Sequence, residues 1–243
     1  MKKLALINQR FIKAVQNNQL DELKNLLSQG ADIHADNGYA LRYSSQNGHL
    51  EIVKFLVTKG ASIHADNDEA LRLAASSGQL EVVKFLVTQG ANINANDDYA
   101  LRNSAYGGHL DTVKFLVTKG VNIHADDDRA LRWAAFNGHL EVVKFLIAQG
   151  ANIHANNDEA LKDSARPGHR DVWQVLSAFI QEEKLLVAAV GSTGASSWGC
   201  GMPVLPSAST WVSGAALGSV ALVAVVDSVL LTPAIKKLQR SKI

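Results

Sequence analysis

Histidine is the first residue type in this 243-residue chain whose spacing could support chemistry. Its eight copies form two series with a spacing of about 30 residues. The series are His34, His64, His124 and His154, with Asn94 interrupting, and His49, His109, His139 and His169, with Gln79 interrupting. Imidazole nitrogens are common zinc ligands, so converging histidines would indicate a metal protein.

Distance argues against a metal site at these histidines. Equivalent residues in stacked helical units should lie about 8–10 Å apart, the packing distance of adjacent helices. Zinc holds its nitrogen ligands at about 2.0–2.1 Å, so a series with that pitch cannot converge on one ion. We therefore predict no metal and no cofactor, and interpret the histidines as turn-stabilising residues that recur with the unit.

A basic series could contact phosphates or an acidic partner. Its members are Arg42, Arg72, Arg102, Arg132 and Lys162. Aspartates stand close by in sequence, so we expect local neutralisation. The net charge of +1 gives no electrostatic argument for nucleic acid.

No catalytic constellation is evident, since the chain has no glycine-rich phosphate loop, Cys/His dyad or nucleophile elbow. The acidic residues recur at equivalent places, which favours a structural role over a unique site. The sequence therefore predicts a non-enzymatic protein.

The elements that must position these residues repeat along the chain. Gly30, Gly60, Gly90, Gly120 and Gly150 are each 30 residues apart, and segments such as 128–150 (DRALRWAAFNGHLEVVKFLIAQG) recur between them. Such a period is typical of a stacked solenoid.

Each unit reads as two short helices. In 128–150, small and apolar residues give the first helix one inner face, and a second stripe follows in the next helix. These stripes are Ala130, Leu131, Ala134 and Ala135, then Leu140, Val143, Leu146 and Ile147. Asp128 is expected to cap the first helix, as are Asp68, Asp98 and Asp158, and Gly150 is expected to end the second.

These motifs resemble ankyrin repeats. The likeness rests on GHLEVVKFLV, the following GANIHA and the AA before the helix–helix turn. The usual ankyrin unit has about 33 residues and a TPLH motif, whereas this chain is three residues shorter and has EALR or YALR there. The 30-residue variant resembles the ankyrin arrays of giant viruses that infect amoebae. The resemblance implies an all-α solenoid whose helix pairs are joined by short β-hairpin-like arms, with tighter tips than usual.

The array is expected to cover residues 8–180. The predicted units are a polar N-terminal cap at 8–30, full repeats at 38–60, 68–90, 98–120 and 128–150, and a degraded C-terminal cap at 158–180. In the first unit, Phe11, Ala14 and Val15 should form the inner face.

Composition changes after Lys184. Residues 185–226 contain no charged residue, and 210–231 contain one, Asp227. About 20 apolar residues can span a bilayer, so 210–231 is a candidate transmembrane segment within a hydrophobic tail at 185–243. The alternative is a flexible or misread extension.

Three positions vary from unit to unit. They read Tyr39, Glu69, Tyr99, Arg129 and Glu159, then Tyr43, Leu73, Asn103, Trp133 and Asp163, then Gln46, Ser76, Tyr106, Phe136 and Arg166. In ankyrin proteins the first helices and arm tips line the partner-binding groove, and aromatic residues and arginine dominate binding hot spots. The predicted protein-binding residues are Tyr39, Glu69, Tyr99, Tyr106, Arg129, Trp133 and Phe136. The alternative is that Trp133 and Tyr43 are core-packing variants.

The resemblance implies a protein–protein interaction scaffold. The alternatives are a substrate adaptor, for example one that recruits a ubiquitin ligase, and a metal-binding protein. A single cysteine, Cys200, and an N-terminal apolar run of only four residues, Leu4 to Ile7, favour a cytoplasmic location. Membrane association through the tail would be compatible with it.

Overall fold

The structure is a computed structural model that describes the backbone of residues 2–192 and the side chains of residues 3–185. These residues contain twelve helices and no strands. The helices are α1 (Lys2–Gln16), α2 (Leu20–Ser28), α3 (Ala35–Gln46), α4 (Leu50–Thr58), α5 (Glu69–Ser76), α6 (Leu80–Thr88), α7 (Ala95–Tyr106), α8 (Leu110–Thr118), α9 (Ala125–Phe136), α10 (Leu140–Ala148), α11 (Ala155–Ser164) and α12 (Arg170–Ser192).

The first compact unit of the chain is Met1–Ser177. In the first unit, each odd-numbered helix from α1 to α9 packs on the even-numbered helix that follows it and on the next odd-numbered helix. The even-numbered helices from α4 to α10 also pack on one another in order. This nearest-neighbour stacking is the organisation of a repeat solenoid.

The core forms from the predicted inner faces. Ala130, Leu131, Ala134 and Ala135 are at most 1% exposed, and Phe11, Ala14 and Val15 are at most 2% exposed. In the second helix, Val143, Leu146 and Ile147 are buried as predicted. Leu140 is only half-buried, and Val142, which the predicted stripe omits, is buried. Helices this short are marginal alone, so they depend on this shared burial.

The arms between units are not β-hairpins, and this part of the prediction is wrong. Three consecutive residues instead adopt the left-handed helical conformation, as at Asp126 (φ 54°, ψ 51°), Asp127 (φ 53°, ψ 54°) and Asp128 (φ 54°, ψ 37°). The same turn occurs at 36–38, 66–68, 96–98 and 156–158. Left-handed backbone costs most L-residues about 1–2 kcal/mol each, and glycine, asparagine and aspartate tolerate it best. All fifteen turn positions carry one of these three residue types.

The predicted helix caps are also wrong for the aspartates. Asp68 lies before α5 but makes no side-chain capping bond, and Asp98, Asp128 and Asp158 are the third residues of left-handed turns. The glycine prediction is confirmed. Gly150 has φ 94°, and the amide of Ala151 donates to the carbonyl oxygen of Leu146 at 3.0 Å, which closes the end of α10.

The proposed transmembrane segment, 210–231, lies outside the described residues, as does most of the tail. Within the described residues, no helix combines the length and apolar character needed to cross a bilayer.

Candidate protein-binding surface

The arginine series closes the left-handed turns. Arg132 donates from Nη2 to the carbonyl oxygen of Asp126 at 2.8 Å and from Nε to that of Asp127 at 2.9 Å. Arg42, Arg72 and Arg102 bond carbonyl oxygens of their own turns in the same way. A left-handed turn leaves carbonyl groups without helical partners, and the guanidinium satisfies them. The sequence prediction of local neutralisation did not anticipate these backbone acceptors.

The first variable position meets the arginine of the preceding unit. Glu69 pairs with Arg42 at 2.6 Å, and Glu159 forms the equivalent short pair with Arg132. Tyr99 has the Arg72 guanidinium over its ring at 5.0 Å. Glu69 and Tyr99, both predicted to bind a partner, therefore hold neighbouring units together in the structure.

Arg129 breaks this pattern, because an arginine there faces another arginine, Arg102. Both guanidiniums share one carboxylate: Asp126 Oδ2 lies 2.6 Å from Arg129 Nη1 and 2.8 Å from Arg102 Nη1. The Arg129 guanidinium also lies 5.2 Å from the centre of the Trp133 ring. Arg129 is thus fixed beside an aromatic side chain.

Tyr106 and Trp133 come together across neighbouring units. Their ring centres are 5.5 Å apart with an interplanar angle of 73°, an edge-to-face arrangement. Tyr106 is 49% exposed and Trp133 is half-buried. We call Tyr106, Arg129 and Trp133 the aromatic patch. Trp133 is therefore not a fully buried core residue.

The other predicted residues lie in separate contacts. Phe136 is half-buried under the Arg166 guanidinium, which lies 3.7 Å from its ring centre. Tyr39 stacks on Tyr43 at 5.5 Å, and its hydroxyl accepts a 2.9 Å bond from Gln16. Of the seven predicted residues, three form the patch.

Two of the histidines before the second helices join neighbouring units. His139 Nε2 donates to the carbonyl oxygen of Tyr106 at 2.8 Å, and His109 Nε2 donates to that of Ser76 at 3.0 Å. The His139 ring also lies against Gly108, where an added Cβ would sit 2.5 Å from Nδ1. This bond to a residue 33 positions earlier fixes the backbone beneath the exposed Tyr106 ring.

In the other histidine series, His64, His124 and His154 meet the turn aspartates. Asp68 Oδ1 lies 3.0 Å from His64 Nδ1 and accepts a 3.0 Å bond from the amide of Asn92 in the next unit. Asp128 repeats this arrangement with His124 at 2.9 Å and the amide of Asn152 at 2.8 Å. Among the described residues, no group of three or more histidines, cysteines or acids could hold a metal ion.

Among the residues that the structure describes, two carboxyl groups, Asp98 and Glu159, have shifted pKa values. Burial raises the pKa of Asp98 against the opposing charge of Arg102. A hydrogen bond from Asn156 lowers the pKa of Glu159, and the Arg132 pair lowers it further. Glu159 belongs to the inter-unit pairs, and Asp98 belongs to a turn, so both shifts have structural causes.

This arrangement defines a class of protein, the helical-repeat scaffolds, in which regular helix pairs carry variable side chains at repeated positions. A model of ankyrin repeats, three copies long, matches residues 11–97 and 98–182. Because these matches cover more than half of the chain, the protein belongs to the ankyrin repeat family.

Ankyrin repeats are generally protein–protein interaction modules, and proteins built from them are generally non-enzymatic scaffolds. A search of curated proteins found no match to this chain. The resemblance of its 30-residue unit to giant-virus arrays stays a prediction.

Proposed function

We propose that this ankyrin array is a non-enzymatic binding module that holds a protein partner on the aromatic patch. The observation that carries the proposal is the exposed Tyr106 ring, packed edge-to-face on Trp133 with Arg129 against the same indole. Tyrosine, tryptophan and arginine are the residue types most enriched in binding hot spots.

The contacts around the patch support its use for binding. Asp126 holds the Arg129 guanidinium, and the bond from His139 holds the Tyr106 backbone. Side chains that are already ordered lose less conformational entropy when a partner binds. The patch therefore presents a large amphipathic surface at a reduced entropic cost.

The test compares the double variant Tyr106→Ala/Trp133→Ala with the unchanged full chain. Partners captured by the full chain are identified by mass spectrometry, and their affinity for each purified variant is then measured. Two hot-spot truncations of about 2 kcal/mol each should weaken binding by at least about 100-fold. Tyr39→Ala/Tyr43→Ala, which alters the other aromatic pair, is the matched control and should leave binding unchanged.

Thermal unfolding of the same variants separates binding from folding. The proposal requires that the patch variant melts close to the unchanged protein. A melting temperature that falls steeply would assign both rings to the core. Unchanged affinity in a well-folded variant would exclude the patch as the binding surface.

We further propose that residues 210–231 tether the protein to a membrane. The support is compositional: the segment carries one charge, Asp227, with Trp211 near one end and a basic run, Lys236 and Lys237, beyond the other. The full chain should resist extraction by alkaline carbonate, whereas residues 1–184 should be released. Complete release of the full chain would contradict the tether.

A further inference from the structure

The turn of the second repeat differs from its counterparts at one residue. In the third and fifth repeats, the last turn residue is an aspartate whose carboxylate bridges the histidine of its own turn and a backbone amide of the next unit. Asp68 makes this bridge to His64 and Asn92, and Asp128 makes it to His124 and Asn152. Both carboxylates are almost fully enclosed, since Asp68 is 5% exposed and Asp128 is 4% exposed. The bridge is therefore a built carboxylate site filled by the chain itself.

Gly38 stands at this position in the second repeat. Its backbone has the same left-handed conformation, with φ 72° and ψ 33°, so the turn is kept while the carboxylate is missing from the sequence. A Cβ placed on Gly38 would meet no atom within 4 Å. The side chain that closes the site elsewhere has no substitute here.

The groups that would bind the carboxylate remain in place. His34 occupies the position of His64, and the Ser62 amide occupies that of Asn92. Neither the His34 ring nor the Ser62 amide forms a hydrogen bond to another described residue. Both residues are exposed, so a ligand from solution can reach them.

These residues line a cavity beside Gly38. Its volume is about 210 Å³, and its walls also include Leu41, Ala61 and Ala65. Pockets for drug-sized ligands measure about 300–1,000 Å³, so this cavity suits a group the size of one side chain. The cavity therefore combines apolar walls with two polar residues, His34 and Ser62, whose equivalents bind the carboxylate of Asp68.

We propose that the cavity at Gly38 is a carboxylate-binding site that takes an aspartate-like group, with the His34 ring and the Ser62 amide as donors. The acidic residues of the same turn do not prevent this. Asp68 and Asp128 also have acidic residues before them in their turns, at Asp66 and at Asp126 and Asp127. The carboxylates of Asp68 and Asp128 nevertheless form their bridges. A charge-assisted hydrogen bond from the histidine favours a carboxylate ligand over an amide ligand. The backbone N–H of Ser62 can donate to an oxygen of either ligand.

The test uses the full chain and blocked tripeptides. Acetyl-Gly-Asp-Gly-amide is titrated while the Ser62 amide and the His34 ring are followed by NMR, with acetyl-Gly-Asn-Gly-amide as the neutral counterpart. We expect saturable shifts at both groups and about fivefold tighter binding of the aspartate peptide. The preference should disappear in His34→Ala. Acetyl-Gly-Gly-Gly with a free carboxylate, and acetate alone, distinguish a side-chain ligand from a chain end or a small acid.

Two substitutions control the site. Gly38→Asp supplies the carboxylate from the chain and should abolish the shifts, with higher thermal stability. Asp68→Gly should create a second site, reported by the amide of Asn92. Shifts that do not saturate, or that persist unchanged in Gly38→Asp, would overturn the proposal. So would equal binding of the aspartate and asparagine peptides.

Discussion

The carboxylate bridge between units is absent at Asp98 as well as at Gly38, but for a different reason. Asn94 stands where the third and fifth repeats have histidine, and Asp98 Oδ1 is buried without a hydrogen-bond partner. Burial raises the pKa of Asp98, the nearby Asp97 adds to this effect, and Arg102 opposes it. The ionised carboxylate is therefore less favourable in the folded protein than in the unfolded chain.

The sign of the pH dependence follows from this shift. A folded-state pKa above the unfolded value means that the folded protein binds the proton more tightly. The stabilisation by protonated Asp98 is complete below about pH 4, the ordinary aspartate range, and is lost as pH rises through the raised value. We predict that Asp98→Asn stabilises the protein by up to about 1 kcal/mol at pH 7, because the amide carries no charge to desolvate.

Denaturant unfolding at pH 7 and at pH 3 measures this effect, and the gain should disappear at the lower pH. Asp68→Asn is the matched control and should destabilise the protein at pH 7, since Asp68 is already paired with His64 and the Asn92 amide. A gain from both substitutions would show that the partners of the carboxylate do not matter.

At the residue scale, the sequence predicted helix ends and buried faces better than it predicted hydrogen-bond partners. The glycine helix ends and the alanine and leucine inner faces follow from backbone freedom and helical periodicity, and both are confirmed except at Leu140, which is only half-buried. The roles of the aspartates could not be predicted in this way, because the backbone amide that donates to each bridging carboxylate lies 24 residues away in the next unit. The same reason hid the bond from His139 to Tyr106.

The left-handed turn is the element that distinguishes these units. Three consecutive left-handed residues produce no periodic pattern of apolar residues. The sequence therefore indicates only a loop with turn residues at its tip. The restriction to glycine, asparagine and aspartate is the available signal. These residue types tolerate the left-handed conformation but do not require it. Their presence therefore predicts a turn, but it does not predict that three consecutive residues are left-handed.

We predict that Asp127 tests the cost of this element. Its side chain is exposed, and its backbone oxygen accepts from Arg132 whatever side chain is present. Asp127→Ala should destabilise the protein by about 1 kcal/mol, because alanine lacks aspartate's tolerance of positive φ. Asp127→Gly should change stability by a few tenths of a kcal/mol at most, since easier geometry offsets greater unfolded-state entropy. Chemical denaturation of the pair measures the difference, and equal stability of the two would contradict a left-handed conformation at residue 127.

Exposed pairs on the second helices contribute little by comparison. Lys54, Lys84 and Lys144 reach the glutamates three residues earlier at 2.7–2.9 Å. Pairs of this kind contribute about 0.2–0.5 kcal/mol each. The stability of the element therefore depends on its turn and its buried face.

At the scale of the whole molecule, the 30-residue period predicts the number and order of the units. The residues of the patch belong to the set that the sequence predicted, but their grouping could not be predicted from it. Tyr106 and Trp133 meet across a unit boundary, while Glu69 and Tyr99, from the same predicted set, are occupied by arginines. Which variable residues remain free depends on what the neighbouring unit places opposite each one.

The last prediction concerns how much of the chain the array needs. Residues 1–184 should fold alone, because they retain the polar first unit and the start of α12, where Val172 and Leu176 are at most 1% exposed. Burying two aliphatic side chains stabilises a fold by about 3–6 kcal/mol in total. Residues 1–168, which lack both side chains, should therefore melt well below 1–184, with a broader transition as the last units fray. Circular dichroism should give a largely helical spectrum and one cooperative transition for 1–184. A fragment 1–184 without cooperative melting, or one no more stable than 1–168, would mean that the array depends on residues beyond 184.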